Sequence, residues 1–80
     1  MHELGVLTKA VQTVDNVAQQ NNIEKIKFMI LEVGVDSSFV PIFFEKLFPV
    51  AIEAYPRLQN AQLRIESVPG RSLTIKEIGY

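Results

Sequence analysis

The sequence predicts an α+β domain: two helices packed on a three-stranded sheet, in the order α-β-α-β-β. Three observations predict it. Leu4, Leu7, Val11, Val14 and Ala18 recur at steps of three and four, the period of a helix with one buried face. Ala61, Leu63 and Ile65 alternate with Gln62, Arg64 and Glu66, and Leu73 and Ile75 alternate with Thr74 and Lys76, the period of half-buried strands. Between these, Lys25 to Val35 is apolar on both faces at its centre, as expected of a strand covered from two sides.

Taken in order, the first helix ends near Asn21-Asn22, because asparagine tolerates the left-handed conformation of a helix C-cap. Val6, Ala10 and Val17 widen its apolar stripe, and Glu3 in its first turn complements the positive end of the helix dipole. In the strand that follows, Lys27, Met29, Leu31 and Val33 point one way; Ile26, Phe28, Ile30 and Glu32 point the other. Gly34 and Asp36-Ser37-Ser38 break it. A second helix is expected from about Pro41 to Ala54, with Pro41 in the first turn and Pro49 on the wet face beside Glu45, Lys46 and Glu53. Its apolar residues, Phe44 and Phe48 among them, fill an arc of roughly 200° at about 100° per residue, wider than one sheet can cover. Pro56 to Asn60 reads as a loop, and Pro69-Gly70 as a turn before the last strand, with Ile78 beyond it.

Eighty residues make a single domain, and a chain this short has marginal stability unless packing or association supplies more. There is no cysteine, hence no disulfide and no zinc-thiolate staple, and the chain suits a reducing, cytoplasmic setting. A net charge of −1 with interspersed signs argues against nucleic acid as a partner. No apolar run approaches the roughly 20 residues of a membrane span, and nothing resembles a signal peptide. Catalysis has little basis: the only histidine is His2, the only aspartates are Asp15 and Asp36, and the four glycines form no phosphate-binding loop. The expectation is a non-enzyme. Arg64, Arg71 and Lys76 read as solvated charges on the sheet.

The start Met1-His2-Glu3 has its own chemistry. The α-amine and the His2 amide can close a five-membered chelate, and the same amide and the imidazole a six-membered one. An all-nitrogen set of this kind suits square-planar Ni(II) or Cu(II), whereas Zn(II) prefers a tetrahedral site and finds too few ligands. Copper binds such ligands more tightly than nickel, so selectivity must come from metal availability or from partners.

Four pieces in sequence carry a resemblance: the start Met1-His2-Glu3-Leu4; Leu31-Glu32-Val33-Gly34; Leu63-Arg64-Ile65-Glu66 leading to Val68-Pro69; and the close Gly70-Arg71-Ser72-Leu73-Thr74-Ile75-Lys76-Glu77-Ile78. Together they resemble the HypA family of nickel-insertion proteins for nickel–iron hydrogenase maturation, some of which also serve urease. The resemblance implies a nickel-binding domain of two helices and three strands over residues 1–80. It implies Ni(II) held by Met1, His2 and Glu3: the amine, the His2 imidazole and backbone nitrogen, and the Glu3 backbone nitrogen or carboxylate. A GTPase and the large hydrogenase subunit are the implied partners. The family carries a zinc ribbon with two Cys-x-x-Cys pairs between its last two strands. Here Pro69 joins Gly70 directly, no zinc is expected, and the last two strands are expected to be adjacent and closed by the Pro-Gly turn. An engineered deletion and a naturally shortened relative both fit that junction. Phe28 and Ile30 stand where similar chains often carry polar residues, so these two, with Phe44 and Phe48 on the broad face of the second helix, are the expected contacts of a homodimer. The alternative function is a metal-free dimeric interaction module derived from the same fold.

Overall fold

The computed structural model describes residues 3–80. Helix α1 spans Glu3–Gln20, strand β1 Phe28–Gly34, helix α2 Pro41–Ala51, strand β2 Gln62–Val68 and strand β3 Leu73–Gly79, with a 3-10 turn at Pro56–Leu58. The expected α+β class and element order both hold. β1 is the central strand, with β2 parallel on one side and β3 antiparallel on the other. A parallel pair needs a crossover, and α2 is that crossover.

α1 ends as its asparagines lead one to expect. Asn22 adopts φ +58°, the Ile23 N–H donates back to the Ala18 carbonyl at 2.8 Å, and the Asn22 N–H donates to Gln19 at 3.2 Å, the paired bonds of a Schellman motif. α2 stops three residues short of the expected Ala54. Glu53 and Tyr55 make tight turn bonds to Val50 and Ile52, and Tyr55 is held extended ahead of Pro56, as a residue before proline prefers. Pro49 is on the exposed face of α2, where it was expected. The expected loop after α2 contains the 3-10 turn, which drops Leu58 fully into the core.

β1 is shorter than Lys25 to Val35. Ile26 donates to the Arg57 carbonyl instead of to a strand, and the ladder to both neighbours begins at Phe28. The expected cover is found on both faces at the centre of the strand, but only one of them is covered by helices. Met29, Leu31 and Val33 are buried with Leu7, Val11 and Val14 of α1 and Phe44 and Phe48 of α2 in one core. Ile30, on the opposite face, is buried but stands outside that core, among the side chains of its neighbouring strands.

The largest correction concerns the last two strands. They are not adjacent, since β1 lies between them. The Pro69–Ser72 connection therefore arches over the end of β1 instead of closing a hairpin. Val35, Asp36 and Gly34 donate to the carbonyls of Val68, Gly70 and Ser72, each at 2.8 Å. A Cβ at Gly34 would collide with the Gly70 carbonyl, so the arch requires glycine beneath it.

β3 carries a bulge opposite Ile30 and Leu31. Ile75 pairs with Leu31 and Ile78 with Met29, both on the helix-covered face, although they are three residues apart. Lys76 and Glu77 between them both serve the other face.

Candidate functional site

Of the expected metal ligands, Met1 and His2 lie outside the described residues; Glu3 is the first residue of α1. Its side chain is 5% exposed, and its Oε2 accepts a hydrogen bond at 3.1 Å from the Val40 N–H. Val40 is the N-cap of α2 and offers no side-chain cap of its own. The Glu3 carboxylate supplies that missing cap from 37 residues away, near the positive ends of two helices at once. The sequence carried a signal for this. α2 opens Val40-Pro41 with no Ser, Thr, Asp or Asn at the cap position, so its first amides need an acceptor from elsewhere.

Beside this tie, Glu3, Leu4, Phe43, Lys46 and Leu47 line a groove of about 310 Å³ between the starts of the two helices. Leu4, Val40 and Ile42 leave apolar surface open nearby. Among the described residues no three acidic, histidine or cysteine side chains converge where they could hold a metal ion, and no helix is long and apolar enough to cross a membrane.

The four residues expected at an interface are placed unequally. Phe44 is fully enclosed, its ring tilted against Phe39 at 5.6 Å, and Phe48 and Ile30 are nearly enclosed, so little of these three is presented to a second molecule. Phe28 is half-buried. Its ring lies over Gly79, where a Cβ would collide with it, and the Arg64 guanidinium sits 4.2 Å from its centroid. Arg64 is thus a stacked cation, not merely a solvated one. Lys76 reaches across β1 to Glu66 at 2.9 Å. That hydrogen bond, then the charges of Glu66, Glu32 and Glu77, raise the Lys76 ammonium above the ordinary lysine range. Arg71 is exposed.

Sequence reasoning missed Arg57. Its Nε donates to the Ile23 carbonyl at 2.9 Å and its Nη1 meets Asp15 Oδ1 at 3.3 Å, fastening the 3-10 turn to the end of α1.

With this geometry in place, the chain can be set beside known proteins. The family model described as hydrogenase/urease nickel incorporation, metallochaperone, hypA matches residues 1–73. The hydrogenase maturation factor HypA of Moorella thermoacetica is 34% identical over 71 residues, covering 89% of this chain and 62% of its own length. That of a Picosynechococcus species is 32% identical over 69 residues, covering 86% and 60%. The chain thus spans about three-fifths of these relatives. The solution structure of the Ni metallochaperone HypA from Helicobacter pylori superposes with a TM-score of 0.78 at 19% identity, over 96% of this chain and 72% of that one, a likeness of fold.

Proposed function

The chain belongs to the HypA family, and on that premise we propose that it carries one Ni(II) at its amino terminus for nickel–iron hydrogenase maturation. The ligands are the Met1 amine, the His2 amide and imidazole, and the Glu3 amide. The observation that carries this reading is the family match itself, which begins at residue 1 and so takes in Met1-His2-Glu3.

The Glu3 carboxylate, already given to Val40, serves as an anchor, and the backbone nitrogen is the better ligand. The amide of the first helical residue lies ahead of the i→i−4 ladder, so metallating it removes no bond of that ladder. Nickel passes on by ligand exchange, without catalysis. A maturation GTPase and the hydrogenase large subunit are the proposed partners in the cytoplasm. Residues 1–80 act as one nickel-binding unit that works without the zinc ribbon, whose place is the Pro69-Gly70 arch.

The test is titration of Ni(II) into protein whose first residue is Met1, followed by visible absorption. One equivalent with a square-planar spectrum is expected, lost both in His2→Ala and in a variant with one residue added ahead of Met1. Nickel retained with an unchanged spectrum in either variant would overturn the site.

A second reading, a metal-free interaction module, is favoured by the apolar surface that Leu4, Val40, Ile42 and Val50 leave open. It becomes the better account if His2→Ala leaves nickel uptake unaltered while Ile42→Asp abolishes binding to the hydrogenase large subunit.

A further inference from the structure

Glu3 has two ends with different tasks. Its backbone nitrogen is a proposed nickel ligand, while its carboxylate accepts the Val40 N–H at 3.1 Å from 37 residues away. Burial to 5% exposure leaves that side chain few rotamers, so holding the carboxylate also holds the backbone that carries it. The head of α1 is therefore set by where α2 begins.

The start of α2 is built to receive this hold. In a capping box, a Glu or Gln at the third helical position reaches back to the N-cap N–H. That position in α2 is Phe43, whose ring has no acceptor to offer, so Glu3 takes the role from α1. Val40 is extended at φ −102° and its side chain is exposed; it is the N–H that enters the tie. The charges agree with the geometry. Each helix start presents partial positive charge, which opposes a cation placed there. A carboxylate held between the two offsets both, and Val40 keeps it there.

We propose that the Val40 amide is a positioning group for nickel: by seating the Glu3 carboxylate on α2, it fixes the Glu3 nitrogen at the head of α1 where the cation needs it. The proposal rests on the terminal nickel site of the preceding section and adds to it a residue that supplies no ligand. Linked equilibria are reciprocal. If the tie tightens nickel binding, nickel must tighten the tie by the same factor, so loading is felt at the first turn of α2.

The experiment is Ni(II) titration of the full chain beginning at Met1, for wild type, Val40→Pro and Val40→Ala, with circular dichroism on each. Proline removes the N–H and suits an extended N-cap ahead of Pro41; alanine keeps the N–H and loses only the side chain. The dissociation constant should be roughly tenfold higher in Val40→Pro than in Val40→Ala. Both should show the same square-planar band, since the ligands are the same. Wild type gives a second readout that needs no variant and decides alone if Val40→Pro does not fold. Square-planar Ni(II) is diamagnetic, so amide exchange can be followed by NMR. The Val40 amide should slow on loading by about the same factor, while the Ile23 amide, bonded to Ala18 at the far end of α1, should not. A merely structural tie would be indifferent to nickel. Equal affinities in the two variants overturn the proposal, as does a Val40 amide that exchanges alike with and without nickel. Either result leaves the terminal site standing. A wild type that takes up no nickel removes that site and this coupling with it.

Discussion

The two faces of β1 are built from the same seven residues but held by different physics. On the inner face Met29, Leu31 and Val33 meet two helices and reach essentially zero exposure. On the outer face Phe28, Ile30 and Glu32 have no such layer. They are covered by what the flanking strands send across: Arg64 over the Phe28 ring, and Lys76 reaching to Glu66 above Glu32. The inner face depends on volume, which a rigid surround cannot recover once removed. The outer face depends on long flexible side chains whose stems shield apolar surface while their heads stay wet. A strand apolar on both faces therefore does not require two layers of elements above it.

The comparison breaks most sharply at the inner face. Phe44→Ala should cost about 3–5 kcal/mol and Leu31→Ala about 4 kcal/mol, read by urea denaturation, since both leave cavities in the shared core. Gly34→Ala should cost up to about 3 kcal/mol by pushing the Gly70 carbonyl off β1, with amide exchange rising at Gly34, Val35 and Asp36. Ile30→Ala should cost about 2 kcal/mol, less than Leu31→Ala in the same strand, because flexible neighbours can collapse into the gap. Equal losses at Ile30 and Leu31 would erase the distinction between the faces. Arg64→Ala should cost about 0.5–1 kcal/mol, and Phe28→Leu should remove most of that difference in a double-mutant cycle. Lys76→Gln should have the smallest effect. Glu66 raises the Lys76 ammonium above its ordinary range, so the bridge favours the folded state wherever the unfolded lysine is charged. Any gap between wild type and Lys76→Gln in thermal melts should hold at neutral pH and close as pH rises through that raised value.

Much of this was legible in the residues because local periods carry it. The step of Leu4, Leu7, Val11, Val14 and Ala18 gave α1, and Asn21-Asn22 gave its end to within two residues. The alternation about Leu63 and Leu73 gave β2 and β3. Sheet order was not legible, because Pro69-Gly70 suits a hairpin as well as an arch, and only the backbone of Gly34 distinguishes them. The bulge left a trace that was readable afterwards: Lys76-Glu77 is a polar pair between two isoleucines, one residue too many for strict alternation. At the candidate site, Glu3 was singled out as a first-turn acid, and the uncapped Val40-Pro41 start signals a missing acceptor, but which residue supplies it is a tertiary fact that no local pattern encodes.

That bond also joins the two helices in a single event. The Val40 N–H gains the Glu3 acceptor only once α1 and the start of α2 stand side by side, although 37 residues separate the two in the chain. Neither helix can form the tie alone, so a Glu3 carboxylate seated at Val40 reports that both are in place.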